Sequence, residues 1–247
     1  MPANRGAHPE DPELFSPAAY DRLRAAVRDL SWLRSRGYGG RATRDLVGNR
    51  YRLKRRQRNA VVRSACSDAE RAHRLGARLG PRAVAGRELH LDAFNVLITV
   101  EGLLGGAYLF RGRDSAYRDV NPIQGTYRIA HQTGPALRRL AEALRALSPA
   151  QATWHLDRSV SNVGRLRNRL ADTASGMDLD WALAAHDDVD GTLCDVSAPV
   201  ATSDSAILDR SDAWVPLEAL IHAQLALDAH VIDLRPDGER ARWPPQG

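Results

Sequence analysis

Three apolar runs in this chain end on an aspartate: "ELHLD" at Asp92, "ATWHLD" at Asp157 and "PVATSD" at Asp204. If the runs are strands of one parallel sheet, the acids gather beyond its carboxyl edge, where open α/β sheets bind their ligands. Carboxylates packed together repel one another, and a divalent cation relieves that repulsion. Oxygen-only donors suit Mg²⁺ or Mn²⁺. Such an ion acidifies a bound water and offsets charge on a phosphodiester. A strand-ending aspartate can equally serve as the N-cap of the next helix, and both roles stay open for Asp92, Asp157 and Asp204.

Supporting groups sit close by in the sequence. Asn95, three residues after Asp92, is placed to orient that carboxylate. "DRSVSNVGRLR" puts Arg158, Ser161 and Asn162 at the start of a helix bearing Arg165, a place suited to phosphate. Ser203 and Ser205 flank Asp204, and Asp209 follows about one helical turn later, facing the same site or capping a helix. The polar stretch from Phe110 to Arg128 carries Arg113 among other arginines and reads as a loop lining a cleft, since guanidinium groups bind phosphate.

These residues need a scaffold, and the chain changes grammar near Gly80-Pro81. Residues 1–89 hold 20 Lys and Arg against 9 Asp and Glu, while the rest reverses to 15 against 21. Opposite signs point to two parts with different jobs. Residues 1–15 read as a loose segment and 16–80 as a small all-α basic module built from three helices. The third helix spans "KRRQRNAVVRSACSDAERAHRLGARL". Residues 87–235 alternate strands with amphipathic helices, which predicts α/β: a three-layer α/β/α sandwich with a mostly parallel sheet. Seven strands are expected, including Ala107–Phe110, Trp214–Val215 and His230–Leu234, and 236–247 form a tail. In the basic module, Arg50, Arg52, Lys54, Arg55, Arg56 and Arg58 surround Tyr51. That is the footprint of salt-sensitive phosphate contact, although a solvated helix face would look the same.

Several classes drop out. No G-x-G-x-x-G follows a strand, and neither a P-loop nor a G-x-S-x-G elbow is present. Two distant cysteines offer neither a disulfide framework nor a zinc ribbon. No apolar run is long enough to span a bilayer, and the first residues lack a signal pattern, so a cytoplasmic location is expected. "LDAFNVLIT" is similar to the first motif of haloacid dehalogenases, but no lysine follows Lys54 to complete that site.

Taken with Asp157 and "TSDSAILD", the segment "LDAFN" makes residues 88–234 resemble a PIN-like or NYN-type nuclease domain. That resemblance implies an acidic, metal-binding pocket that cleaves RNA, with Asp92, Asp157 and Asp204 as ligands and Glu101 or Asp119 as a further helix acid. The whole chain is also similar to a family called domain of unknown function four-three-four, through "LVGNRYRLKRRQRNA", "LDAFNVLITVE", "FRGRD", "DRSVSNVGRLR" and "ATSDSAILD". The expectation is a Mg²⁺- or Mn²⁺-dependent nuclease whose basic module captures nucleic acid, RNA ahead of DNA. A non-catalytic nucleic-acid-binding or regulatory protein is the rival reading. No membrane partner is expected, and a homodimer is left open.

Overall fold

The computed structural model describes residues 4–120, 127–225 and 229–239. Its first part is helical: α1 (Asp11–Leu14), α2 (Tyr20–Ser35), α3 (Gly40–Arg50), α4 (Arg55–Ser64) and α5 (Asp68–Gly76). Leu23, Ala26, Val27 and Leu30 recur on one face of α2, which is the spacing of a buried helical stripe. That face packs on α3, α4 and α5. Gly37, at φ 80°, supplies the left-handed turn that ends α2.

The long third helix of the sequence reading is two helices. Ser67 breaks it by opening α5 with a capping box. Its side chain accepts from the Glu70 N–H at 3.1 Å, and Glu70 accepts from the Ser67 N–H at 2.6 Å. Satisfying the first N–H groups of α5 outweighs continuing α4.

The second part alternates β1 (Glu88–Asp92), α6 (Ala93–Gly105), β2 (Leu109–Arg111), β3 (Tyr117–Arg118), α7 (Thr133–Leu147) and β4 (Gln151–Asp157). It continues with α8 (Val163–Gly176), β5 (Trp181–His186), α9 (Val189–Cys194), β6 (Val200–Ala201), α10 (Ser205–Leu208), α11 (Leu217–Leu225) and β7 (Val231–Asp233). The fold is mixed α/β with a mostly parallel sheet behind an N-terminal helical region. The principal sheet is parallel, in the order β5-β4-β1-β6. Leu89, Leu91, Trp154 and Leu156 point to one face, into a core shared with α6, α7 and α8. The alternate residues His90, Asp92, His155 and Asp157 point to the other, where α9 packs. Slipping β1 by one residue would expose Leu89 and Leu91, at about 2 kcal/mol each, so the hydrophobic pattern fixes where Asp92 points.

The expected single sheet is divided. β2 pairs with β7 on one side and with β3 on the other, in a separate three-stranded sheet. Its Phe110, Ile232 and Leu234 complete the core of the helical region. The helices therefore share their interior with a late segment of the chain and do not stand apart as 16–80. Trp214 makes isolated bridges to Arg78 and Val200, not a strand with Val215.

The N-terminal segment, expected to be loose, is tied down from residue 5 onward. The Arg5 Nε donates to Glu101 Oε2 at 2.9 Å, Asp11 accepts from Arg56, and Phe15 packs on Phe110 with ring centroids 4.6 Å apart. Of the 236–247 tail, only 236–239 are described, and Glu239 there binds Arg113. Among the described residues, no helix is long and apolar enough to cross a membrane.

Candidate active site

A pocket of about 550 Å³ opens at the carboxyl end of the principal sheet. Asp92, Asp157 and Asp204 all line it. So does Asp190, in the first turn of α9, which the sequence reading passed over. Asp190 follows β5 in "WALAAHDDVDG", so the signal was an acid-rich stretch beyond a strand that itself ends on histidine. Arg34 and Arg63 contribute from the helical region, and Arg118 and Asp119 from the end of the small sheet. The pocket thus sets aspartates from the sheet edge beside arginines from both parts of the chain.

Each of the three predicted acids caps a local backbone group, as the structural reading required. Asp92 Oδ1 accepts from the Asn95 N–H at 3.3 Å, Asp157 Oδ1 from the Ser159 N–H at 2.8 Å, and Asp204 Oδ1 from the Ala206 N–H at 2.7 Å. Asp92 is more firmly held, because its Oδ2 accepts from the Thr202 hydroxyl at 2.9 Å. Asn95 does not bond to Asp92 through its side chain. Its Oδ1 accepts from the backbone and hydroxyl of Ser203, at 3.1 and 2.5 Å, and so ties α6 to the loop that carries Asp204.

Burial, reinforced by Asp204 and Asp190, outweighs the Thr202 and Asn95 hydrogen bonds and raises the Asp92 carboxyl to about 7. Burial and the charges of Asp204, Asp188 and Asp157 likewise raise Asp190. Asp190 is therefore within electrostatic reach of Asp204 and Asp157, and Asp92 within reach of Asp204 and Asp190. Their oxygen-only chemistry fits a hard divalent cation. As the side chains stand, no three His, Cys, Asp or Glu among the described residues are grouped to hold a metal ion. Mg²⁺ or Mn²⁺ would require the aspartate side chains to draw closer together.

Behind the pocket lies a buried charge network. Asp114 accepts from Arg118 at 2.9 and 2.7 Å and from Arg74 at 2.6 Å. Burial opposes its ionisation, yet Arg118 and Arg74 hold its carboxyl near 2. The Arg118 Nε donates to the Ser203 carbonyl at 2.7 Å, which fixes the backbone between Thr202 and Asp204. Asp209, expected to face the site or cap a helix, instead accepts from Arg74 at 2.8 Å. Ser205 lines the pocket.

Other sequence expectations are redirected. Arg113 does not meet the pocket: it pairs with Glu239 and Asp68 at 2.7 Å each and donates to the Cys66 carbonyl. Arg158 pairs with Asp187 at 3.0 Å and donates to the Ala185 carbonyl. Ser161, Asn162 and Arg165 are exposed at the start of α8, and the Asn162 Nδ2 donates to the Tyr127 carbonyl at 2.9 Å. Of the two helix-acid candidates, Glu101 is buried and bound to Arg5, Tyr127 and Thr133, whereas Asp119 lines the pocket 3.5 Å from Arg63.

In the basic module, Arg52, Lys54 and Arg55 are exposed, and the exposed Arg50 lies 3.7 Å from Asp29. Arg56 turns inward to Asp11 at 2.7 Å. Arg58 lies on α3 so closely that a Cβ at Gly48 would stand 2.6 Å from its Nη1. Both are spent on contacts within the helical region, since Arg58 Nη2 also donates to Asn49 at 2.7 Å.

Two further buried groups border the site. His155 lines the pocket and sits between His90 and His186, with ring nitrogens 2.8 and 3.1 Å apart. Burial and its two histidine neighbours lower its pKa to about 4. Glu218, on α11, has a buried Oε1 without a hydrogen-bond partner among the described residues. Burial, with Asp92 nearby, raises its carboxyl to about 8.

These shifts predict a pH profile. A carboxyl raised by folding keeps its proton where the unfolded chain has lost it, so stability falls as pH rises toward the folded value. His155 acts oppositely, but only between about 4 and its unfolded value near 6.5. Above that, Glu218 and Asp92 dominate. Between about pH 6.5 and 8 the wild-type protein should lose roughly 2 kcal/mol in urea denaturation, and Glu218→Gln should remove most of that slope. An equal slope in the variant would refute the assignment.

Comparison with known proteins adds the following. Residues 81–220 match the family model described as domain of unknown function DUF5616, and residues 22–76 match that of the protein of unknown function DUF434. The uncharacterized protein MJ0935 of Methanocaldococcus jannaschii is 28% identical over 201 residues, covering 81% of this chain and 96% of that one. No solved structure matches the chain.

Proposed function

The chain belongs to the DUF5616 family, and from that premise we propose that its pocket hydrolyses phosphodiester bonds in nucleic acid, RNA ahead of DNA, with Mg²⁺ or Mn²⁺. One observation carries this reading: Asp92, Asp157, Asp190 and Asp204, from separate strand and helix ends, share a pocket with Asp119 and with Arg34, Arg63 and Arg118. A purely structural role explains each cap but not the convergence of four repelling acids, one of them raised to about 7. A parallel sheet bearing acids at its carboxyl edge also supports the PIN-like reading of the fold.

Asp92, Asp157, Asp204 and Asp190 would hold the ion, which would acidify a water and offset phosphate charge. Thr202 keeps Asp92 pointed into the pocket, and Asn95 and Ser203 set the separation between Asp92 and Asp204. Arg63 and Arg34, which already engage Asp119 and the Ala65 and Val62 carbonyls, would receive phosphate oxygens with their remaining N–H groups. Charge balance gives them that part, since an acid-only pocket would repel a polyanion.

The test is incubation of the purified protein with single-stranded and hairpin RNA in Mn²⁺, against the same mixture in EDTA. Cleavage confined to Mn²⁺, and lost in Asp190→Asn, is the expected outcome. No cleavage of any substrate, or equal cleavage by the variant, ends the proposal. The capping bonds of Asp92, Asp157 and Asp204 favour one rival, a nucleic-acid-binding protein without catalysis. It predicts RNA binding in EDTA and no products in Mn²⁺.

A further inference from the structure

Among the described residues the large hydrophobic side chains left exposed are Trp32, Tyr38 and Leu46, at 52%, 60% and 61%. All three come from one short segment, at the end of α2, in the turn after it and on α3. Single exposed apolar residues are ordinary, but here the surroundings are not. From residue 32 to 58 the chain carries ten Lys and Arg against one acid, Asp45. The Arg36 guanidinium lies 3.6 Å from the Trp32 ring centre, and its Nη1 donates to the Trp32 carbonyl, so the ring is held in place on the surface. Arg34, which lines the pocket, lies on the other side of α2, one turn after the buried Leu30.

We infer that Trp32, Arg36 and Tyr38 form a stacking track for single-stranded nucleic acid on the solvent face of the helical region, which would hold the substrate while another stretch of it reaches the pocket. The inference rests on the nucleic-acid reading of the pocket and deepens it by naming the strand state of the substrate. Aromatic rings flanked by arginines bind strands by stacking on base faces while cations follow the backbone. A duplex hides its base faces, so the track selects unpaired strands. A protein partner fits less well, because the centre of a protein interface is depleted of charge and this patch is dense in it.

Binding measured without cleavage tests the track independently. In EDTA, a fluorescein-labelled oligouridylate of about 12 nucleotides is titrated with the full chain and followed by anisotropy, beside an RNA duplex of the same length. The single strand should bind at least about tenfold more tightly than the duplex. The Trp32→Ala/Tyr38→Ala protein should lose about tenfold or more for the single strand, since each stacked base contributes about 1–3 kcal/mol. The dependence of affinity on salt should persist in that variant, because its phosphate contacts remain. Trp32→Phe should recover part of the loss, which separates stacking from damage to the helix.

Affinity of the double variant within about twofold of wild type, or equal binding of duplex and single strand, overturns the track. So does an unchanged RNA affinity accompanied by lost self-association in sedimentation, which would make the patch a protein contact. A protein that binds single strands through these residues yet cuts nothing in Mn²⁺ would keep the track and lose the nuclease reading. The reverse pattern would do the opposite.

Discussion

Exchanging Asp92 for asparagine is expected to lower Mn²⁺-dependent RNA cleavage by at least about 100-fold, which is roughly 3 kcal/mol of transition-state stabilisation. The melting temperature at pH 8 should hold or rise. Asparagine keeps the size of the side chain and removes only the charge. In the folded protein that charge is costly, because burial and the nearby Asp204 and Asp190 push the carboxyl to about 7. A residue retained for packing would lose stability when changed. One retained for chemistry can gain it, since sites that gather like charges give up stability for function. Parallel cleavage and thermal denaturation of the two proteins distinguish these cases. Activity within about threefold of wild type, or a large fall in melting temperature at pH 8, would remove Asp92 from the chemistry.

The second large effect is expected at Asp114. Its Ala substitution should destabilise the protein by about 3–5 kcal/mol, because Arg74 and Arg118 would remain buried without their shared counter-charge. Both guanidinium groups are nearly inaccessible, at 3% and 4% exposure of the side chain, so water cannot take the place of the carboxylate. The Ser203 carbonyl would then rest on an arginine that has lost its anchor, so cleavage should fall with stability. Urea denaturation checks the first part, and a change below about 1 kcal/mol would show that the network is dispensable. Asp114→Asn is the milder control. It retains the acceptor for the Ala116 N–H, 3.1 Å away, and should cost less than the alanine variant.

What could be read from the sequence follows from how local each signal is. β1 and β4 carry apolar runs that end on acids, so the carboxyl edge bearing Asp92 and Asp157 is legible in the sequence. Asp190 was less visible because it sits within the first turn of α9, beyond the strand that ends at His186. Two strands of the second sheet are legible at 107–110 and 230–234, but their pairing with each other is not, since it joins short strands at 109–111 and 231–233, far apart in the chain. Charge density between Arg44 and Arg63 was plain from composition. The direction of each arginine was not, because it is set by partners distant in sequence (Arg56 answers Asp11, 45 residues away). Ser67 and Glu70 are the exception that could have been caught, as their spacing alone announces the start of α5.

The Arg74–Asp114 pair has a consequence for the history of the chain. The segments matched by the two family models end at residue 76 and begin at residue 81, and a gene divided there would place Arg74 on one product and Asp114 on the other. Each product would inherit a charge buried for the sake of its absent partner. The helical part would also lose Phe110, Ile232 and Leu234 from its interior. The join between the two segments is thus a seam in sequence only, and physically the halves are obliged to travel together.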